Sequence, residues 1–205
     1  MSKVLIIDYN TGNVDSVIKA FKLFENDVIF SSKKEDLDKA EKIILPGQGS
    51  YDHAIDELKK KNLFDQIKKK HLLENIPIMG ICLGMQILSS LGFENDKKTN
   101  GLDIIPGEVR KMKKSPNSLP HIGWNEVNFK KDDILFNDIE NKQDFYFIHS
   151  YEFIPNNPKD VLSTSYCNSE FVSIVRKNNC YGIQFHPEKS LKKGIKLIEN
   201  FLKIK

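Results

Sequence analysis

Pro77-Ile78-Met79-Gly80-Ile81-Cys82-Leu83-Gly84-Met85-Gln86 opens as an apolar run and stops at a cysteine set between two glycines. The pattern predicts a buried strand running into Cys82 and a helix over 83–91 that follows without a linker. Gly80 and Gly84 stand two residues to either side of the cysteine. A strand-to-helix turn this sharp drives neighbouring side chains into collision, so it needs glycine on both sides. This is a cysteine version of the nucleophile elbow. The thiol then stands at a helix N-terminus, whose positive end favours the thiolate. The N–H of Leu83 is left free to hold an oxyanion. A small buried cysteine in a tight turn accounts for the same residues, so the elbow alone leaves both readings open.

Outward from the elbow, the first half of the chain alternates short apolar runs with amphipathic stretches. Val4–Asp8, Val28–Phe30, Ile43–Leu45 and Ile76–Ile81 read as strands. Val14, Val17, Ile18, Phe21 and Phe24 recur at helical spacing, as do Ala54, Ile55 and Leu58, then Leu63, Phe64 and Ile67. Strands alternating with helices predict a parallel sheet covered on both faces. From Ile104 onward the segments turn β-rich: Glu108–Lys113, Asn125–Phe129, Phe145–Ser150, Val161–Tyr166, Phe171–Arg176 and Tyr181–Phe185. A closing helix spans Leu191–Leu202. With no repeat, low-complexity tract or Gly/Ser linker, the expectation is a single α/β domain over 1–205. Its central sheet is mixed, mostly parallel and flanked by helices.

In such a sheet ligands bind beyond the carboxyl ends of the strands, and three further segments fit that place or a nearby loop. Gly182-Ile183-Gln184-Phe185-His186-Pro187-Glu188-Lys189-Ser190 follows a strand. Extended backbone points residues two apart the same way, so His186 and Glu188 can act together. An imidazole that takes a thiol proton, with a carboxylate fixing its tautomer, is what a cysteine nucleophile requires. A surface His-Pro turn with Glu188 capping the last helix is the plainer alternative. Leu45-Pro46-Gly47-Gln48-Gly49-Ser50 can bring backbone N–H groups to a ligand, or be an ordinary turn. It is too short for a phosphate-binding P-loop and lacks the lysine. Pro120-His121-Ile122-Gly123-Trp124-Asn125 holds the chain's only Trp, in a core position or a contact loop.

Composition excludes other classes. The 205 residues carry Lys+Arg 31 against Asp+Glu 28, net +3, and Arg occurs only at Arg110 and Arg176. That argues against a nucleic-acid partner. The three cysteines, Cys82, Cys167 and Cys180, form no CxxC pair, which predicts a reducing compartment, with Cys167 and Cys180 structural. Val4-Leu5-Ile6-Ile7 is too short for a signal-peptide core, and no apolar run is long enough to span a bilayer. A soluble cytoplasmic protein without membrane contact is expected. His53, His71 and His149 show no metal-ligand spacing, and His53 and His71 read as solvated helix residues. No metal and no cofactor is expected; no GxGxxG follows a strand.

Together these segments resemble the class I (triad) glutamine amidotransferases. The family's nucleophile motif appears at residues 80–86 and its histidine–glutamate motif at 184–190. Three others narrow the resemblance to the branch serving histidine biosynthesis: Asp8-Tyr9 with Gly12-Asn13, the Trp124 segment, and Tyr146-Phe147-Ile148-His149-Ser150-Tyr151. Order and spacing match from residue 3 to about 203. The resemblance implies Cys82, His186 and Glu188 as catalytic residues. It implies a glutamine pocket bordered by Gly47, Gly49, Leu83, Gln86, His149, Ser150 and Tyr151. It also implies a (β/α)₈ cyclase partner in a heterodimer, which receives ammonia and makes imidazole glycerol phosphate and an aminoimidazole carboxamide ribotide. Asn13, Trp124 and Tyr146 would face that partner. Asn10 stands where the family usually has Gly, and Gln48 where valine is common. The same glutaminase chemistry feeding a sugar-modifying synthase, a stand-alone cysteine hydrolase and a non-catalytic module are the alternatives.

Overall fold

Val4–Ile7 is four consecutive buried residues, a pattern that fits only a strand covered on both faces. The computed structural model describes residues 3–12, 14–25, 27–95, 97–113 and 119–205. The first half runs β1 (Val4–Ile7), α1 (Asp15–Lys22), β2 (Val28–Ser31), α2 (Lys34–Asp38), β3 (Lys42–Leu45), α3 (Tyr51–Lys60), α4 (Phe64–Glu74), β4 (Ile78–Ile81) and α5 (Leu83–Gln86). It continues as β5 (Leu91–Glu94), β6 (Lys97–Asn100), β7 (Gly107–Lys111), β8 (His121–Phe129), β9 (Gln143–His149) and β10 (Tyr151–Pro155). β11 (Val161–Cys167), β12 (Ser169–Lys177), β13 (Cys180–Ile183) and α6 (Leu191–Leu202) complete it.

The central sheet has the order β2-β1-β3-β4-β13-β12-β11-β8-β9. The first five strands are mutually parallel and the remaining pairings antiparallel. Alternation along each short strand feeds two cores. Val4, Ile6, Ile44, Met79 and Ile81 pack with Phe21 of α1 and Leu197 and Phe201 of α6. Leu5, Ile7, Ile43, Leu45 and Ile78 face the other way, onto Ile55 and Leu58 of α3 and Ile67 of α4. Burying these faces at ~25 cal/mol per Å² is what holds helices on both sides of the sheet.

Two expectations are corrected. The helix anticipated over 83–91 is one turn, Leu83–Gln86, and Leu91–Glu94 is a strand. Leu91 and Gly92 pair with Glu108 and Val109 in a second, four-stranded sheet of order β10-β7-β5-β6. Gly92 lies flat on Tyr51, where a Cβ would come 2.5 Å from the ring. His71 is not solvated: it is 4% exposed, and its Nδ1 meets the Ile76 carbonyl at 2.9 Å. His53 is exposed as expected.

One register positions everything that follows. Ile183 of β13 sits opposite Ile81 of the parallel β4. Cys82 and the Gln184–His186 segment therefore leave the sheet side by side.

Candidate active site

Cys82 adopts φ +52°, a conformation side chains rarely take and one costing about 1–3 kcal/mol. Its N–H donates to the Ile183 carbonyl at 2.7 Å, which ties the turn to β13. Both flanking glycines are obligatory. A Cβ on Gly80 would lie 2.4 Å from the Gly84 carbonyl oxygen, and one on Gly84 would lie 1.8 Å from that of Leu45. Because α5 is a single turn, its dipole is short. The Gln184 amide donates to Sγ at 3.6 Å, and Sγ reaches the Ile148 carbonyl at 3.7 Å.

The side chains of His186 and Glu188 are each 2% exposed, and His186 Nδ1 meets Glu188 Oε1 at 2.8 Å. Glu188 therefore serves the imidazole and does not cap α6, whose N-cap Ser190 forms no side-chain cap. Burial opposes charge on His186, but Cys82 and Glu188 outweigh it and push its pKa up to about 9. With Nδ1 bound to the carboxylate, the buried Nε2 has no hydrogen-bond partner. It is the atom available to exchange a proton with the thiol.

A cavity of about 290 Å³ opens over the sulfur. Of the residues anticipated to border a substrate, Gly49, Leu83, Gln86, His149, Ser150 and Tyr151 line it beside Cys82. Gly47 is not on the wall but wedged behind it; a Cβ there would meet Leu83 Cβ at 2.6 Å and the Gly84 nitrogen at 2.9 Å. The Tyr9 hydroxyl donates to the Pro46 carbonyl and holds this loop against the elbow. Gln48, Ile148 and Glu94 complete the wall. Glu94 accepts the Tyr51 N–H at 2.6 Å, and burial raises its carboxyl pKa.

Comparison with known proteins shows the family. The family described as "Glutamine amidotransferase class-I" matches residues 5–204. The chain belongs to the class-I glutamine amidotransferases. It is similar to imidazole glycerol phosphate synthase subunit HisH of Pelagibacter ubique, at 43% identity over 98% of this chain and 99% of the relative. It is also similar to subunit HisH 2 of Methanococcus maripaludis, at 44% identity over 98% of each. Among solved structures, PurLQS from Thermotoga maritima superposes with a TM-score of 0.76, covering 98% of each chain at 18% identity. That likeness concerns the fold alone.

Outside the cavity, Trp124 of this amidotransferase is 50% exposed, beside exposed Ile122 and Leu191. Its ring meets Tyr146 edge-on at 5.9 Å, the two residues being paired across β8 and β9. The Tyr146 carbonyl accepts the His186 N–H at 2.8 Å, so the surface aromatic pair is bonded directly to the buried histidine's backbone. Asn13, the third anticipated interface residue, lies outside the described residues. Asn10 has φ +59°, which explains the departure from glycine, since asparagine tolerates that conformation best among the others. Its side chain also pairs with Glu57 and accepts from Lys61 Nζ at 3.1 Å. Among the described residues no acidic, histidine or cysteine cluster fits a metal, and no helix is long and apolar enough to cross a membrane.

Four neighbours of the site were given no role by the sequence reading. Glu94 carries no motif. Gln184 and Ile148 stood inside quoted motifs without a contact assigned to either. His121 hides behind the Trp: its Nδ1 meets His149 Nε2 at 3.1 Å. His149 Nδ1 must donate to the Tyr151 carbonyl at 2.9 Å, so His149 Nε2 accepts from His121 Nδ1–H. Burial, with His121 and His186 nearby, lowers the pKa of His149 to about 4.

Proposed function

We propose that the chain is the glutaminase subunit of an imidazole glycerol phosphate synthase, hydrolysing L-glutamine and passing the ammonia to a (β/α)₈ cyclase. The observation that carries the reading is the strained Cys82 at the cavity floor, with the buried His186–Glu188 pair leaving the sheet beside it. The histidine-pathway branch is preferred to the sugar-modifying one because relatives of that name match at 43–44% identity along the full chain.

Each step follows from the geometry. His186 Nε2 takes the thiol proton, and Sγ attacks the side-chain amide carbon of glutamine. The N–H of Leu83, unpartnered at the start of α5, and the backbone at Gln48–Gly49 on the cavity wall hold the oxyanion as it forms. His186 then protonates the leaving nitrogen, which departs as ammonia, and water hydrolyses the γ-glutamyl thioester to glutamate. Glu188 keeps the proton on Nδ1 throughout. Both N–H donors of Gln86 are committed, to the Tyr151 carbonyl and to Gln184 Oε1 at 3.1 Å each. Its oxygen is left to accept from the substrate amide. Glu94, the one carboxylate on the described cavity wall, suits the α-ammonium of an amino acid. Ser150 and Tyr151 border the rest of the substrate.

Trp124, Tyr146 and Asn13 are assigned to the cyclase interface. The Tyr146–His186 backbone bond gives the partner a short route to the triad. Glutamate release from glutamine tests the reading, measured with and without the cognate cyclase carrying its bound nucleotide. Slow turnover alone, acceleration in the complex and loss of both in Cys82→Ala are expected. Turnover surviving Cys82→Ala would overturn the chemistry; equal rates with and without cyclase would overturn the coupling.

A further inference from the structure

The Gln184 side chain is fully buried and touches the sulfur that the proposed reaction uses. A carboxamide can present either its oxygen or its nitrogen, and the two have opposite effects on a thiol. The chain of contacts behind Gln184 decides between them. The Tyr151 carbonyl can only accept, so the group of Gln86 facing it at 3.1 Å must be its nitrogen. That same nitrogen lies 3.1 Å from the Gln184 amide, which must therefore turn its oxygen toward Gln86. The nitrogen of Gln184 is thereby directed at Sγ, 3.6 Å away. Reversing Gln184 would set two donors face to face; reversing Gln86 as well would set its oxygen against a carbonyl.

We propose that Gln184 is an N–H donor that aims the Cys82 sulfur and stabilises it as thiolate, its direction being dictated by Gln86 and the Tyr151 carbonyl. A donor to sulfur favours the ionised form, whereas the Ile148 carbonyl on the other side favours the thiol. Gln184 tips this balance before substrate arrives. The inference rests on the glutaminase reading only for the choice of Cys82 as the attacking group. Several titratable groups face or adjoin the sulfur. His186 stands with Glu188 behind it, Tyr9 comes from the loop after β1, and His149 and Glu94 lie on the cavity wall. Gln184→Met changes none of them and keeps the side chain's length.

The test is the pH dependence of Cys82 alkylation by iodoacetamide in the full chain, read by peptide mass spectrometry and without glutamine. In Gln184→Met the midpoint moves up by about one pH unit and alkylation at pH 7 slows about tenfold, as loss of a charge-assisted hydrogen bond requires. Gln184→Glu, which sets a carboxylate oxygen against the thiolate, moves it further in the same direction. A Gln184→Met midpoint equal to that of the unaltered protein overturns the proposal. Should either variant fail to fold, the unaltered protein still decides by NMR. The Gln184 side-chain amide protons must move downfield with the same midpoint as alkylation; unmoved protons overturn the proposal. None of these readouts depends on turnover, so a glutaminase reading lost through an active Cys82→Ala would be recognised separately.

Discussion

His186 and His149 are both nearly inaccessible, one paired with the Cys82 thiol and the other on the wall of the cavity above it, yet their surroundings drive them to opposite charge states. His186 is pushed up to about 9 by Cys82 and Glu188 against its burial; His149 is pushed down to about 4 by burial, with His121 and His186 adding to it and the Tyr151 carbonyl only partly offsetting it. Burial alone would neutralise both. The difference lies in two acidic neighbours that only His186 has, Cys82 and Glu188. One histidine is thereby equipped to carry a proton near neutral pH, and the other is a permanently neutral wall with a fixed donor and acceptor. Environments that separate two like groups in this way are those an acid–base pair requires, which suits the role proposed for His186.

Breaking that comparison at Glu188 has the largest expected effect. Glu188→Gln preserves shape but removes the charge that holds the proton on His186. The glutaminase kcat/KM of the complex should fall by ~10²–10⁴, and the His186 pKa should drop toward ordinary values by NMR titration. A variant with near-normal turnover, or with His186 still titrating near 9, would show that the pair is structural only.

The two histidines should also shape stability against pH with opposite signs. His149 binds its proton more weakly in the folded chain than in the unfolded one, so stability declines as pH falls from about 6.5 to about 4. A separation of that size is worth about 3 kcal/mol. His186 binds its proton more tightly when folded. Its contribution is complete below about 6.5 and is lost as pH rises through about 9. Urea unfolding between pH 4 and 9 should find both limbs. His149→Gln should flatten only the acid limb, and an unchanged acid limb would refute the assignment of His149 as a neutral group.

Much of this site was legible before the fold was known, and for a physical reason. A cysteine elbow needs two glycines because backbone atoms crowd both flanking positions, and His186-Pro187-Glu188 needs its spacing because Glu188 must reach Nδ1. Such constraints are local, so they appear as motifs. The parallel half was equally readable, since strands buried on both faces must be apolar throughout. What failed was non-local. Leu83, Ile87, Leu88 and Leu91 fall at helical period, yet the chain leaves the helix after Gln86 because Leu91–Glu94 pairs with Gly107–Lys111. Lys97–Asn100 has no apolar face and is a strand only through its pairing with Leu91–Glu94. His71 sits in a run of lysines, and only the carbonyl of Ile76 explains its burial. Glu94 reaches the cavity solely because that small sheet exists.

The weakest link in the contrast gives its finest test. Asn125 Nδ2 stands 3.2 Å from His121 Nε2 and donates to the Tyr166 carbonyl at 2.9 Å. A donor at His121 Nε2 makes that nitrogen an acceptor, which leaves the proton on Nδ1, pointing at His149. Asn125 thus fixes the tautomer of one histidine and, through it, the acceptor role of the next. Asn125→Ala removes the constraint without touching the cavity. The expected loss is about 0.5–1.5 kcal/mol, with a partial shift of His121 to the other tautomer visible in its ring nitrogen chemical shifts. His186 and Glu188 take no part in this chain, so the basic limb of the stability profile should stay in place. Movement of that limb in Asn125→Ala would mean that the His121–His149 chain also reaches His186, whose charge state is then not set by Cys82 and Glu188 alone.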